Sequence, residues 1–220
     1  TQQCVITDPQ GNEHKLVLPM PGRFNVANAL VALAVSELAG LPIEDALAGI
    51  AHVVVPGRLQ RIDEGQDYLA IVDYAHKPAA VAAVIATLRS EIKGRLCVVL
   101  GAGGDRDASK RAIMGREAAR GSDLFIVTDD NPRSEDPAVI RAAVEAGAYE
   151  LPTEERGEVR NIGDRAAAIR AAIAWAEPGD AVLVAGKGHE TGQNVNGVIH
   201  HFDDREEVRA ALQERRTGSL

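Results

Sequence analysis

The sequence predicts an α/β protein built on a doubly wound, Rossmann-like parallel sheet. Short, continuous apolar runs such as Leu96–Leu100 and Ala181–Ala185 are typical of strands that helices cover on both faces. Segments with apolar residues every three or four positions separate these runs, and this alternation of strand and helix predicts a parallel sheet. Polar, glycine-rich loops follow the runs, at the edge of the sheet where such folds bind ligands.

The first 55 residues predict a smaller unit that precedes this sheet. The predicted elements are strands at 4–7 and 15–18, joined by a turn at 8–12, and helices at 24–39 and 43–51. Gly40 stands just past the first helix, where glycine ends a helix most easily. The stretch 53–57, three valines followed by proline and glycine, breaks the pattern. We therefore expect two domains, at 1–55 and 56–220.

Residues 56–220 carry the repeated strand, loop and helix of the predicted sheet. Strands are predicted at 68–73, 95–100, 123–128, 181–185 and 198–202. Helices are predicted at 78–89, 109–120, 137–146, 164–176 and 203–215. Pro78 and Pro137 each occupy a first helical turn, where a missing N–H group breaks no helical hydrogen bond.

Composition and charge exclude several classes of function. The 24 Lys and Arg against 32 Asp and Glu give a net charge of −8, which leaves no basic field for nucleic acid. No run approaches the roughly 20 apolar residues that cross a membrane. Cys4 and Cys97 are the only cysteines, and we interpret them as buried, reduced thiols of a cytoplasmic protein. The chain enters a strand pattern at once and without methionine, so we expect it to be part of a longer protein.

The loop after the second strand of the larger domain predicts an anion site. Glycines at 101, 103 and 104 let backbone N–H groups approach a phosphate or carboxylate, and the next helix N-terminus adds partial positive charge. A glycine turn alone indicates little. Arg106, Lys110 and Arg111 follow it, and these three cations favour anion binding.

The loop 130–133 predicts a site for an amino acid. Asp130 offers a carboxylate to an ammonium group, Asn131 offers an amide to either charge, and Arg133 offers a fork that grips a carboxylate. Pro132 lowers the entropy cost of holding that fork. Alternatively, the loop only connects the strand to the next helix. That interpretation accounts for the residues at the end of the loop but not for Arg133.

The loop 186–190 places a cation, an imidazole and a carboxylate after a buried strand. His189 has two interpretations that the sequence leaves open: general acid–base chemistry, or pairing with Glu190 or the backbone. Glu190 is a candidate receptor for a substrate ammonium group. His200 and His201 face opposite sides of a predicted strand, so they cannot share a metal ion.

Taken together, these motifs resemble those of the Mur ligase family, and within it the diaminopimelate-adding, MurE type. The matching motifs span nearly the whole chain in the family's order: 22–29 (GRFNVANA), 56–58 (PGR), 72–78 (VDYAHKP), 104–107 (GDRD) with Lys110 and Arg111, 130–133 (DNPR) and 186–190 (GKGHE). The first three are general to Mur ligases and their folate-polyglutamate relatives. The Asp-Asn-Pro-Arg loop is the family's diaminopimelate recognition motif, and lysine-adding members differ at its last residue.

The resemblance implies an ATP-dependent amide ligase of peptidoglycan precursor synthesis. ATP would phosphorylate the γ-carboxylate of D-glutamate in UDP-N-acetylmuramoyl-L-alanyl-D-glutamate, and an amine of meso-diaminopimelate would attack the acyl phosphate. The implied fold is the Mur ligase C-terminal domain at 56–220, preceded at 1–55 by the tail of the central ATP-binding domain. We expect the full-length enzyme to be a cytoplasmic monomer with small-molecule substrates and with neither nucleic acid nor membrane as a partner.

The resemblance also implies roles for individual residues. Diaminopimelate carboxylates would be held by Arg106, Asn131 and Arg133, with Pro132 in the same loop. Its distal amino group would meet Asp130, Gly186 and Glu190. The residues implied to face the nucleotide are Asn25, Asn28, Arg58, Asp73, His76 and Lys110. No catalytic residue is assigned, and His189 is the one candidate.

One family feature is absent from the sequence. The 220 residues contain no G-x-x-x-x-G-K-[ST] phosphate loop, and we predict no metal ligand among them. The resemblance implies that the phosphate loop and a modified lysine that supports Mg²⁺ lie upstream, in the part that mainly holds ATP and Mg²⁺. We therefore expect this chain alone to bind diaminopimelate weakly and to have no ligase activity.

Three other functions stay open at this point. A Mur-type or folylpolyglutamate-type ligase could add lysine or glutamate, but Arg133 would leave the ammonium group of lysine next to like charge. A non-catalytic ligand-binding α/β module explains the absent phosphate loop but not the partial domain before Pro56. A dehydrogenase is disfavoured, because residues 101–104 do not match the G-x-G-x-x-G spacing.

Overall fold

A computed structural model describes residues 2–220 of the chain. Its backbone contacts divide the chain into two compact units, one ending at Val55 and one beginning at Pro56. Each unit has an apolar core of its own. No helix within these residues combines the length and the apolar character that crossing a bilayer requires.

The first unit consists of a β-hairpin and two helices. Its elements are β1 (Gln2–Thr7), β2 (Glu13–Leu18), α1 (Arg23–Leu38) and α2 (Ile43–Ile50). Alternation along β2 turns Leu16 and Leu18 inward, where they pack against Leu33 and Leu47 of the helices. Cys4 is only half-buried, because β1 alternates between half-buried and exposed positions, so the prediction of a buried thiol is wrong for this cysteine.

His14 connects the turn of the hairpin to helix α2. Its Nε2 lies 3.0 Å from Oδ2 of Asp8, and its Nδ1 lies 3.2 Å from Oε1 of Glu44. The hydrogen bond to Asp8 raises the pKa of His14, and Glu44 adds to the effect. Because the pKa is higher in the folded state, the protonated imidazole stabilises the fold below about pH 6.5, and this stabilisation is lost as the pH rises through the folded pKa.

We expect the hairpin to be better protected from hydrogen exchange at about pH 6 than at about pH 8, and to lose this difference in the variant His14→Gln. Protection factors of the β1 and β2 amides, which correct for the intrinsic pH dependence of exchange, measure the effect. His52→Gln is the matched control, because the exposed His52 ring bonds, within the described residues, only to the carbonyl of Ala48, at 2.9 Å. The same pH dependence in the natural chain and in His14→Gln would contradict the assignment.

The second unit is built on a six-stranded sheet with the order β3-β4-β8-β5-β6-β7. The elements are β3 (Gln60–Ile62), β4 (Leu69–Asp73), α3 (Pro78–Glu91), β5 (Leu96–Leu100), α4 (Lys110–Gly121), β6 (Leu124–Val127), α5 (Pro137–Tyr149), a 3₁₀ turn (Thr153–Glu155), β7 (Glu158–Asn161), α6 (Arg165–Trp175), β8 (Ala181–Ala185), β9 (Gly192–Val195), β10 (Val198–His201) and α7 (Asp204–Thr217). Neighbouring strands are parallel except β3, which pairs antiparallel with β4. Since β8 lies between β4 and β5, the carboxyl ends of these three strands adjoin.

Helices cover both faces of this sheet. Val81 of α3, Met114 of α4 and Ile140 of α5 belong to the core on one face. Ile169 of α6 and Val208 of α7 belong to the core on the other face. Burial on both faces explains the unbroken apolar strands, and the predicted doubly wound α/β fold is confirmed.

The sequence patterns do not predict β3, β7 and β9. The strands β3 and β7 form the two edges of the sheet, and β7 reads Glu-Val-Arg-Asn without an apolar run. The predicted strand at 198–202 is present as β10, but it pairs only with β9 and lies outside the main sheet. All four β10 residues are exposed, although the apolar Val198 and Ile199 would be expected to be buried. The signal for this hairpin is Asn196-Gly197, which has positive φ at both positions as a tight hairpin turn requires.

Candidate functional site

Loops at the carboxyl ends of the strands surround a cavity of about 380 Å³. These loops follow β4, β5, β6 and β8, at the edge where open α/β sheets bind ligands. The cavity is lined by Tyr74, His76, Lys77, Gly101, Ala102, Gly103, Arg106, Lys110, Met114, Asp130, Asn131, Arg133 and Glu190. Seven of the predicted site residues therefore lie around one cavity, although they come from four separate loops.

Asp130 contributes an unpaired carboxylate to this cavity. The residue is 8% exposed, and its carboxylate oxygens accept no hydrogen bond from residues 2–220, whereas its backbone carbonyl accepts one from Gln193. Gly186 makes room for it, because a Cβ at this glycine would lie 2.6 Å from Oδ2 of Asp130. A buried carboxylate without a hydrogen-bond partner favours a cationic ligand, because pairing with it offsets part of the cost of desolvation.

Arg133 is held in an unusual backbone conformation with free N–H groups on its side chain. Its φ angle is +54°, which long side chains rarely adopt. Two hydrogen bonds fix this conformation, from its N–H to the Asn194 carbonyl at 2.9 Å and from the Asn196 N–H to its carbonyl at 2.7 Å. Nη1 donates to the Gly104 carbonyl at 2.7 Å, while Nε and Nη2 have no partner in the described chain. The guanidinium can therefore bind a carboxylate in the cavity.

The glycines at 101–104 bring two loops together. The N–H of Gly104 donates to the Asn131 carbonyl at 2.9 Å, and a Cβ at Gly104 would clash with the carbonyl of the buried Pro132. A Cβ at Gly101 would clash with the carbonyl of Thr128. The prediction of a backbone anion cradle is therefore wrong at Gly104, because its N–H is already used within the protein.

The three cations that follow these glycines have different environments. Arg106 is exposed, and its one hydrogen bond within the described chain goes to a neighbouring carbonyl at 3.3 Å, so it is available to a ligand. Lys110 donates to the His76 carbonyl at 3.3 Å. Arg111 is 5% exposed and donates to Glu135 at 2.8 Å. The prediction that Arg111 contributes to anion binding is wrong, since Glu135 already neutralises it.

Glu190 and His189 lie in adjacent positions but in different environments. Oε2 of Glu190 accepts a hydrogen bond from Nδ2 of Asn131 at 2.9 Å, and Oε1 accepts none from residues 2–220. His189 is exposed, with its ring 5.0 Å from the ring of Tyr74 and no hydrogen bond to the described chain. The interpretation that it pairs with Glu190 or the backbone is wrong, and its acid–base role stays a prediction.

The ring of Tyr74 contacts two of the residues that are predicted to face the nucleotide. The guanidinium of Arg58 lies 4.5 Å from the centroid of its ring, and the His76 ring lies 4.6 Å away in an edge-on arrangement. Cation–π and aromatic contacts of this kind restrain both side chains. Tyr74 was not predicted as a site residue, although it belongs to the motif 72–78.

Asp73 lies beneath this group and shapes its backbone. It is 7% exposed, and its two carboxylate oxygens accept hydrogen bonds from the N–H groups of Leu59 and Ala75 at 2.7 Å each. Burial raises the pKa of Asp73, and these two bonds oppose that rise. Its carboxylate therefore positions the turn that carries Arg58.

Asn25 and Asn28, the other predicted nucleotide-facing residues, belong to the first unit. Both lie on α1. Asn25 is buried, and its Nδ2 donates to the Pro21 carbonyl at 2.7 Å, so it fixes the start of the helix. Asn28 is exposed, which leaves its amide available to a ligand.

The described residues include neither a cluster of metal ligands nor a phosphate-binding loop. Residues 2–220 contain no group of three or more His, Cys, Asp or Glu side chains arranged to hold a metal ion. The sequence also lacks the glycine-rich loop that cradles nucleotide phosphates. The described residues therefore fit neither Mg²⁺ nor the phosphates of ATP.

Two cations to which the sequence patterns assign no role, Lys187 and Arg165, are buried beneath the cavity. Lys187 is 0% exposed and Arg165 is 2% exposed. Besides its ion pair with Asp204, Arg165 donates to the carbonyls of Ala185 at 2.9 Å and Asp129 at 3.2 Å. The residues after these two carbonyls are Gly186 and Asp130, so Arg165 joins the bases of two site loops. A buried arginine has no local sequence signal that separates it from a surface one.

Residues 57–188, more than half of the chain, match the family model described as "Mur ligase, glutamate ligase domain". The chain belongs to the Mur ligase family. This Mur ligase is 59% identical to UDP-N-acetylmuramoyl-L-alanyl-D-glutamate--2,6-diaminopimelate ligase of Corynebacterium glutamicum, over 100% of the chain and 43% of that relative. It is 52% identical to the protein of the same name from Streptomyces coelicolor, over 94% of the chain and 41% of that relative.

A solved structure extends the similarity to three dimensions. The Mur ligase chain matches a structure of UDP-N-acetylmuramoyl-L-alanyl-D-glutamate--2,6-diaminopimelate ligase with a TM-score of 0.70 and 38% identity, over 97% of this chain and 43% of that one. The predicted family is confirmed. The chain spans less than half the length of the relatives that it matches.

Proposed function

We propose that this chain is the amino-acid-binding part of a ligase that adds meso-diaminopimelate to the D-glutamate of UDP-N-acetylmuramoyl-L-alanyl-D-glutamate. The observation that carries the proposal is the charge pattern of the cavity. Within residues 2–220, the buried carboxylate of Asp130 and two N–H-bearing nitrogens of Arg133 have no hydrogen-bond partner, and both side chains line the same cavity. The names of the relatives support the choice of amino acid.

The charges of the cavity match one end of meso-diaminopimelate, which carries an ammonium and a carboxylate group at each end. Asp130 and Oε1 of Glu190 accept hydrogen bonds from the distal ammonium group. Arg133 and Arg106 bind the distal carboxylate. Gripping one end leaves the amine at the other end free to attack an activated carboxyl group. Positioning that amine removes much of the entropic barrier to amide formation.

The remaining chemistry belongs to parts of the protein beyond these residues. Residues 56–220 act as the amino-acid-binding ligase domain, and residues 1–55 are the tail of a central ATP-binding domain. ATP and Mg²⁺ are mainly held outside this chain, which is therefore inactive alone. Within the second unit, the side chains that face the nucleotide are Arg58, His76 and Lys110, with Asp73 supporting them from beneath; within the first unit, the corresponding side chains are Asn25 and Asn28. The full-length protein is a cytoplasmic monomer.

A substrate panel in the full-length ligase tests this function. We expect meso-diaminopimelate to be preferred over L-lysine by about 10⁴-fold in kcat/KM, because L-lysine leaves Arg133 without a carboxylate partner. D-Glutamate serves as a third substrate for comparison. It lacks the distal ammonium group from which Asp130 accepts hydrogen bonds. Preference for lysine or glutamate would refute the proposal.

A further inference from the structure

Lys187 lies in a loop of the cavity, but its side chain cannot contact a ligand directly. Its side chain is 0% exposed, so its ammonium group reaches neither the cavity nor water. Nζ donates to the Gly192 carbonyl at 2.6 Å, to Oδ1 of Asn131 at 3.3 Å and to Oε2 of Glu190 at 3.5 Å. An ammonium group has three donors, and these three acceptors use all of them.

The first consequence of this environment is a fixed orientation of the Asn131 amide. Oδ1 of Asn131 accepts from Lys187 and also from the backbone N–H of Asn194, at 2.9 Å. The reversed amide would direct its NH₂ group at two donors, so only one orientation is compatible with both neighbours. In this orientation Nδ2 of Asn131 donates to Oε2 of Glu190, at 2.9 Å.

The second consequence is a fixed carboxylate at Glu190. Both donors, Lys187 and Asn131, meet the same oxygen, Oε2. The other oxygen, Oε1, has no partner among residues 2–220, and the side chain lines the cavity with 36% exposure. A network in which each donor has an acceptor holds its members more rigidly than any one bond does.

The backbone on either side of Lys187 allows its side chain to turn inward. Gly186 has a φ angle of +116° and Gly188 one of +55°. A Cβ at Gly188 would lie 2.6 Å from Cβ of Tyr74, so the chain passes too close to the neighbouring loop for any larger residue. The two glycines therefore permit the tight path that buries Lys187.

We propose that Lys187 is a positioning residue of the cavity, whose buried ammonium group orients the Asn131 amide and directs one carboxylate oxygen of Glu190 toward the ligand. Its effect on Asn131 follows from the contacts within the protein alone. Its effect on diaminopimelate binding rests on the proposed function.

The effect on Asn131 is tested in the ligand-free, 220-residue chain with ¹⁵N-labelled asparagine. In Lys187→Met, we expect the Nδ2 protons of Asn131 to change chemical shift and to lose protection from hydrogen exchange. The matched control is Lys93→Met, because Lys93 is an exposed lysine of the same unit. Asn131 signals that stay unchanged in Lys187→Met would overturn the proposal. If the methionine variant does not fold, the same Asn131 signals are measured in Lys187→Gln, whose side chain is shorter and uncharged.

The effect on the ligand is tested by titration with meso-diaminopimelate. We expect Lys187→Met to bind about tenfold more weakly than the natural chain, and the double variant with Glu190→Gln to bind no more weakly than Glu190→Gln alone. Losses that add in the double variant would overturn the proposal, because a structural residue independent of Glu190 gives additive effects. If the natural chain binds no meso-diaminopimelate while the Asn131 signals change, the proposed function fails and the positioning role of Lys187 stands.

Discussion

Arg165→Met is expected to lower the free energy of unfolding of the second unit by about 3–5 kcal/mol. Nε and Nη2 of Arg165 donate to the two carboxylate oxygens of Asp204 at 2.7 Å and 2.8 Å, and both residues are buried. Removing the cation alone leaves a carboxylate in the core without its partner. Since natural domains are stable by only about 5–15 kcal/mol, this loss is large. Trp175, the only tryptophan, lies in α6, so its fluorescence in urea reports the unfolding of this unit.

Two controls separate the buried ion pair from a general effect of losing an arginine. Arg170→Met removes a cation from the same helix, but its partner Glu214 is 36% exposed, so the loss should stay below about 1 kcal/mol. Arg165→Met combined with Asp204→Leu replaces the pair by apolar side chains and should recover more than half of the loss. Equal losses for Arg165→Met and Arg170→Met would contradict the account.

Arg133→Ala is expected to cost about 2–5 kcal/mol of the binding free energy of meso-diaminopimelate and to change L-lysine binding little. The substitution removes the guanidinium whose Nε and Nη2 are unpaired in the described chain. L-Lysine has no distal carboxylate and so loses no contact. KM values for both amino acids in the full-length ligase, and titrations of this chain with meso-diaminopimelate, measure the difference.

Arg141→Ala is the matched control for this substitution. Arg141 follows the same strand but donates to Asp129 and Asn161, and it does not line the cavity. Its removal should therefore leave the affinity for meso-diaminopimelate unchanged. An equal loss of affinity in both variants would show that Arg133 acts through the fold rather than through a ligand carboxylate.

The sequence was sufficient to predict the buried strands, the helices and the loops around the cavity. Leu96–Leu100 and Ala181–Ala185 are recognisable because burial on both faces requires an unbroken apolar run. Asp130, Arg133 and Glu190 are recognisable because polar residues directly follow such strands. Parallel strands bring their carboxyl ends to one edge, so these loops meet although they are far apart in the chain.

Long-range partners account for what the sequence did not predict. Arg111 has the same local sequence signal as Arg106, but Glu135, which comes from another loop, neutralises it. Lys187 and Arg165 are identified as site-supporting residues only by acceptors that lie elsewhere in the chain. Edge strands such as β7 escape detection because an exposed edge needs no apolar run.

Calorimetric titration of the 220-residue chain with meso-diaminopimelate, with L-lysine in parallel, tests the central claim that this chain selects the amino acid. The account predicts weak, saturable heat with meso-diaminopimelate that Arg133→Ala abolishes, and no heat with L-lysine. Equal heat with both amino acids, or no heat with meso-diaminopimelate, would contradict it.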